Sequence, residues 1–276
     1  MISFDSVTKV YPGPGGGTPA VDNFSFNIDA GTTTALVGSS GCGKTTLLRM
    51  VNRMVEPTAG TITVRGEDVS QVDPVQLRRS IGYVMQQSGL MPHRTVLDNI
   101  ITVPRLSGTP KEQAKERACE LLTALGLDHS LADRYPGELS GGQAQRVGVA
   151  RALCHDPDIL LMDEPFGAID PVVRRDLQQQ LLELQSRLSK TIVLVTHDIE
   201  EAFLLGDRVV LLEKGAHIAQ AGTPQELVLH PASDFVAGFV GVQDRQLSAR
   251  TIDGREVLVD RFGRIAGMTA SEGSGS

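Results

Sequence analysis

Short blocks of alternating or continuous apolar residues occupy the first third of the chain, and its middle shifts to longer stretches of helix formers. Ile2 to Lys9 and Asn23 to Asp29 read as β segments, parted by the turn-rich run Pro12-Gly13-Pro14-Gly15-Gly16-Gly17. Thr33 to Val37 is a β-branched apolar strand that runs straight into a glycine-rich loop and a helix-like segment from Lys44 to Val55. Gly60 to Val64 and Ile81 to Met85 predict two further strands, and Ala, Leu, Glu and Lys then dominate a helical region from about Val96 to Leu125. Apolar strands return at Ile159 to Met162, Thr191 to Val195 and Arg208 to Leu212, with a helical stretch from Val172 to Leu188 among them. Strands alternating with helices predict a parallel sheet covered on both faces, and the helical middle reads as an insertion into it. Past about Phe239, Ala249 to Ile252 and Glu256 to Val259 flank Asp253-Gly254 and predict a small hairpin. Ser271 to Ser276 is of low complexity and is expected to be disordered.

Composition narrows the class. A length of 276 residues allows one large domain, or one domain with a short appendage. Cys42, Cys119 and Cys154 are far apart and form no CxxC pair, which fits a reducing cytosol better than a zinc ribbon or a disulfide framework. The net charge of -7 comes without a basic run, so nucleic acid is disfavoured as a partner. Apolar runs such as Val209 to Leu212 fall far short of the roughly 20 residues that cross a bilayer. Met1-Ile2-Ser3-Phe4-Asp5 has no basic n-region and no long apolar stretch, so a secretory signal is not expected and the protein should be soluble or peripheral.

Three strings carry chemistry. Gly38-Ser39-Ser40-Gly41-Cys42-Gly43-Lys44-Thr45 matches GxxxxGK[ST] between a strand and a helix, and Thr46 follows it. Its glycines let backbone N–H groups turn toward phosphate oxygens, and the helix N-terminus adds positive potential. Lys44 should reach the β- and γ-phosphates, and the Thr45 hydroxyl should bind Mg²⁺. Ile159 to Glu164 is an apolar strand ending in two acids at the carboxyl edge of the sheet, where ligands bind. Asp163 would hold Mg²⁺ through water and Glu164 would act as general base on the attacking water; alone, the pair would be an acidic strand exit, and only Lys44 changes that reading. Leu139-Ser140-Gly141-Gly142-Gln143 precedes a helix-like run to Ala152 and could equally be a second anion site or a serine N-cap with glycines.

In this order the three strings resemble the ABC transporter ATPase family, and the likeness covers nearly all of residues 1 to 240. The resemblance implies an α/β P-loop NTPase core of RecA type with a mixed sheet, an antiparallel β subdomain and an inserted helical subdomain at about 88 to 155. Residues 241 to 276 would form a short appendage. It implies ATP and Mg²⁺ as cofactors. Tyr11 looks like the aromatic that stacks on adenine, Gln86 like the glutamine that senses Mg²⁺ and the membrane partner, and His197 like the histidine that contacts the γ-phosphate. Asp170 matches the loop that crosses between subunits, although Gly167 and Ile169 depart from the commoner Ser-Ala-Leu-Asp around Ala168. Cys42 occupies a free position of the phosphate loop, where a thiol is either inert or a site of alkylation.

The resemblance also implies a head-to-tail dimer in which Ser140, Gly141, Gly142 and Gln143 complete the ATP site of the other copy. Separate transmembrane permease subunits, and through them an extracytoplasmic solute-binding protein, would be its partners at the cytoplasmic face of the membrane. Met50 to Thr58, Ile81 to His93, and Phe239-Val240-Gly241 with Asp244-Arg245 are similar to the quaternary-amine branch, which imports glycine betaine, carnitine, choline or proline. Val257 to Met268 resembles one fragment of a CBS domain, too short for the regulatory pair of that branch. Import of another small polar solute of amino-acid type and a non-transport ABC ATPase are the alternatives. A GTPase is disfavoured because no Asn-Lys-x-Asp string occurs.

Overall fold

Strand β1 (Ile2–Lys9) buries Ile2, Phe4 and Val7 and exposes Asp5 and Ser6, as a strand with one dry face should. It is the second strand of an antiparallel sheet in the order β2-β1-β4-β5, with β2 at Val21–Ile28, β4 at Ala59–Val64 and β5 at Glu67–Asp68. The Phe4 and Phe24 rings meet edge to face at 5.2 Å across β1 and β2. This computed structural model describes residues 1–12, 17–167, 169–252 and 255–268. The turn expected through Gly13 to Gly16, Ala168, the Asp253-Gly254 turn and the low-complexity end from Ser271 lie outside the described residues.

The second sheet has six strands in the order β10-β9-β3-β8-β7-β6. Strands β3 (Thr33–Gly38), β6 (Ile81–Val84), β7 (Ile159–Asp163), β8 (Thr191–Thr196) and β9 (Arg208–Leu212) run parallel, and β10 (Ile218–Gly222) closes the edge antiparallel to β9. Every residue of β3, β7 and β8 is buried, which explains their unbroken apolar character. Helix α1 (Lys44–Val51) packs against β4 of the first sheet and against β3, β7 and β8 of the second. Leu47, Leu48, Met50 and Val51 are all buried, and with Phe4, Phe24, Leu36, Leu161 and Val195 they belong to one continuous core.

Helix α2 (Pro74–Ser80) starts at Asp73, whose carboxylate accepts the Gln76 N–H. Between β6 and β7 the chain passes through α3 (Val96–Ile100), α4 (Thr102–Leu106), α5 (Lys111–Ala124) and α6 (Gly141–Leu153), which pack on one another. Helices α7 (Pro171–Leu188) and α8 (Ile199–Leu205) connect the strands that follow. Two helical expectations need correction. The segment expected to run to Val55 stops at Val51, because Arg53 takes a φ of 55° while its guanidinium bonds Glu56 and the Val72 carbonyl. The region from Val96 to Leu125 is three helices, broken where Pro104 falls in a first helical turn and where Gly108 (φ 89°) and Pro110 precede α5.

The chain divides into two compact units, Met1–Pro224 and Gln225–Ser276. The second contains α9 (Pro224–Leu229) from its second residue onward, α10 (Asp234–Val240) and a sheet of three antiparallel strands, β11 (Ser248–Ile252), β12 (Arg255–Val259) and β13 (Ile265–Met268). The expected hairpin is therefore extended by a third strand, and β12 buries Val257 and Val259. Arg261, in the turn before β13, pairs with Asp244 at 3.0 Å and so fastens this sheet to the segment after α10.

Candidate functional site

The carboxyl ends of β3, β6, β7 and β8 are in register: Val37 lies beside Thr196, Val195 beside Asp163, and Met162 beside Val84. The loops that leave these ends therefore meet at one edge, where an open parallel sheet binds its ligands. From β3 the chain turns through Gly38, Gly41 and Gly43, the last with φ 115°. A Cβ on Gly43 would stand 2.4 Å from the Ala20 carbonyl oxygen. The Gly43→Ala variant is expected to lose about 2–4 kcal/mol of folding stability, read from urea denaturation. An unchanged midpoint would rule out this loop geometry.

Helix α1 begins at Lys44 and, among the described residues, no side chain caps its first N–H groups, so its positive end faces the loop. The Lys44 side chain is buried, and its Nζ donates to the carbonyls of Gly38 at 2.7 Å and Ser39 at 2.8 Å. Cys42 is 1% exposed and its Sγ lies 3.7 Å from the same amine, so its thiol is packing beneath the loop and not part of its surface. A cavity of about 340 Å³ opens over this loop, lined by Ala20, Ser40, Gly41, Gly43, Lys44, Thr45, Thr46, Gln86 and Glu164.

The two acids at the end of β7 have different surroundings. Asp163 accepts from the Thr45 hydroxyl at 2.8 Å through Oδ1, and through Oδ2 from Tyr83 at 3.2 Å and Arg49 at 3.4 Å. Burial, and then the charge of Asp163, push the Tyr83 phenol up to about 12, so it stays a proton donor to that acid. Glu164 lies one residue beyond the strand, held at φ 45° with its N–H on the Val195 carbonyl at 2.9 Å. Its Oε2 accepts from Gln86 at 2.9 Å and lies 3.4 Å from His197 Nδ1. Lys44, Thr45, Gln86, Asp163, Glu164 and His197 thus surround one edge of the sheet.

The remaining predicted residues lie outside that cavity lining. Tyr11 is 45% exposed, with Lys9 Nζ 5.2 Å from its ring centroid. Ser140 caps α6 in a reciprocal arrangement: its hydroxyl accepts the Gln143 N–H at 3.2 Å and Gln143 Oε1 accepts the Ser140 N–H at 2.9 Å. Ser140 and Gly141 are exposed, while Gly142 is buried beside Val173. Asp170 is exposed and caps α7 by accepting the Val172 N–H at 2.9 Å. Both the cap and the anion-site readings of Ser140 therefore remain compatible within a single chain.

The family model described as ABC transporter matches residues 21–167, more than half the chain. The chain belongs to the ABC transporter family. This ABC transporter chain is 49% identical over 250 residues to the carnitine transport ATP-binding protein OpuCA of Listeria monocytogenes, covering 91% of itself and 62% of that relative. It is 48% identical over 261 residues to the glycine betaine/carnitine/choline transport ATP-binding protein OpuCA of Bacillus subtilis, covering 95% of itself and 68% of that protein. The chain thus spans about two thirds, or slightly less, of the length of these relatives. Among solved structures it matches the dimeric post-hydrolysis state of the ATP-binding cassette MJ0796 bound to ADP and Pi, with a TM-score of 0.74 and 33% identity over 81% of this chain and 98% of that one. The fold is that of the ABC ATPase cassette: an α/β P-loop core carrying an antiparallel sheet and helices between β6 and β7.

Arg49 and Tyr83, which fix the second oxygen of Asp163, are not among the residues predicted from the sequence. A signal existed for Arg49, four residues after Thr45 on α1 and hence on the same helix face. Nor is Gln145 of α6 among those predicted residues; it is 3% exposed, accepts the Ser88 N–H and donates to the Met85 carbonyl, each at 3.0 Å. That amide ties the helix opened by Ser140 to the loop that holds Gln86.

Proposed function

We propose that this ABC transporter chain binds and hydrolyses ATP and powers import of a small solute, an osmoprotectant that is either a quaternary amine such as glycine betaine, carnitine or choline, or proline. The observation that carries the ATPase reading is the Glu164 carboxylate at the mouth of the phosphate-loop cavity, bonded by Gln86 and beside His197. A carboxylate there would accept a proton from water attacking the terminal phosphate. Lys44 and the first N–H groups of α1 would neutralise the phosphates, and Tyr11 would stack on the adenine. The oxygens of Thr45, Asp163 and Gln86 suit a hard cation, so these residues would hold Mg²⁺, which supplies charge neutralisation on the phosphates when bound.

Ser140, Gly141, Gly142, Gln143 and Asp170 would act across a head-to-tail dimer, completing the site of the second copy. Support comes from Ser140 and Asp170 standing exposed and away from their own chain's cavity, and from the dimeric state named for the solved relative. Residues 1 to 240 would form the cassette, with the helical part at about 88 to 155, and 241 to 276 an appendage. Separate permease subunits would dock beside Gln86, where Met54 and Met85 stand exposed over a cavity of about 520 Å³, and hold the chain at the cytoplasmic face of a membrane. Among the described residues no helix is long and apolar enough to cross one. The named transport of carnitine, glycine betaine and choline by its relatives supports the solute class.

Two measurements test these proposals. Chains carrying Ser140→Ala mixed with chains carrying Lys44→Ala are expected to recover about a quarter of parental Mg-ATP turnover, because one composite site in the mixed dimer keeps both intact halves. No recovery above either variant alone would exclude cross-chain sites. Labelled glycine betaine uptake should vanish in a strain lacking this chain and return on complementation; unaltered uptake would exclude that solute.

A further inference from the structure

Glu201 is a buried carboxylate that the chemistry above does not use. It lies on α8 and is 6% exposed, a setting where an acid persists only with donors around it. Two elements besides its own helix supply them. The Thr196 hydroxyl, at the end of β8, donates to Glu201 Oε2 at 2.6 Å. From α7, Gln178 Nε2 donates to Oε1 at 3.4 Å, and Arg174 Nη1 stands 3.8 Å from the same oxygen. Burial is the largest influence on this acid and pushes its pKa upward, so the contacts only partly offset what desolvation costs.

The arrangement brackets His197. The Thr196 oxygen that donates to Glu201 also accepts the Asp198 backbone N–H at 3.0 Å, and Arg174 Nη1 lies 3.8 Å from Asp198 Oδ2. Residues 196 and 198 are thereby anchored around one acid, while the His197 side chain between them is 60% exposed and has little packing of its own. Its ring nitrogen nevertheless sits 3.4 Å from Glu164. An exposed side chain keeps such an aim only if its backbone is held. Arg174 lies in the first turns of α7, which opens at Asp170, so its guanidinium ties that helix to Asp198 and Glu201.

We propose that Glu201 is a positioning residue for His197, acting through the Thr196 hydroxyl. The inference rests on the ATPase reading above. Its test is steady-state Mg-ATP hydrolysis by the full chain and its Glu201→Ala, Glu201→Gln, Thr196→Val and Glu201→Ala/Thr196→Val variants, with kcat and KM separated and Tm recorded. Glu201→Ala and Thr196→Val should each lower kcat about tenfold while KM for ATP moves less than about twofold. The double variant should be no slower than Thr196→Val alone, because that change already cuts the contact to Glu201, together with the acceptor of the Asp198 N–H. Glu201→Gln keeps an acceptor oxygen for Thr196 and should retain at least about a third of the parental kcat. Parental kcat in Thr196→Val, or losses that multiply in the double variant, would overturn the proposal. If Glu201→Ala does not fold, Thr196→Val, which exchanges one hydroxyl for a methyl of similar size, decides through its kcat. An unaltered chain without Mg-ATP turnover overturns the proposed function, and this inference with it, whereas an active parent with an indifferent Thr196→Val overturns the inference alone.

Discussion

Glu164→Gln is expected to lower kcat for Mg-ATP by at least about a hundredfold, the scale on which a positioned general base acts, while leaving ATP binding in place. Glutamine keeps the volume of Glu164 and one acceptor oxygen for the Gln86 amide, so the loop geometry should survive. The backbone at φ 45° is the same demand for either residue, and its N–H stays on Val195, so strain does not confound the comparison. What disappears is basicity. With hydrolysis blocked and nucleotide bound, the variant should accumulate as a closed dimer in ATP, seen by size-exclusion chromatography. Turnover at the parental rate would remove Glu164 from the role of base.

Lys44→Ala should weaken ATP binding by about a hundredfold or more, measured by calorimetric titration, since two charge-assisted contacts to phosphate account for about 3 kcal/mol. The Lys44 amine lies buried against the carbonyls of Gly38 and Ser39, so the change also leaves two loop oxygens without their donor. A modest fall in Tm is therefore expected alongside, and the affinity must be read at a temperature where the variant is folded. Affinity equal to the parent would count against phosphate binding by this loop.

The legible parts of the site are those that a few adjacent residues define. The phosphate loop is readable because glycine is what permits φ 115° at Gly43 and close approach to Ala20, and because a lysine and a threonine at the start of a helix have an evident use. The acids of β7 are readable as polar residues ending a fully buried strand. Ser140 with Gln143 is readable as a helix start, and the bonds found there are those of a cap. Helix ends were less legible. The stop at Val51 depends on Arg53 reaching Val72, a residue of a different segment, and no local propensity encodes that contact.

Pairings across the fold were illegible. Tyr83 and Arg49 look like an ordinary strand aromatic and a surface cation until the sheet brings both to Asp163. Glu201 reads as one acid among the four of Asp198-Ile199-Glu200-Glu201 and Asp207 around α8, and only burial against α7 and β8 separates it from its neighbours. By itself, then, the sequence determined the elements, the phosphate loop and the kinds of chemistry present, since these follow from backbone propensities and from side chains a few positions apart. The tertiary structure decided which of them meet: Thr45 reaches Asp163 across 118 positions of chain because parallel strands β3, β8 and β7 lie side by side. Strand order of that kind arises from how helices cross over and pack on the sheet, and separation along the chain carries no measure of it.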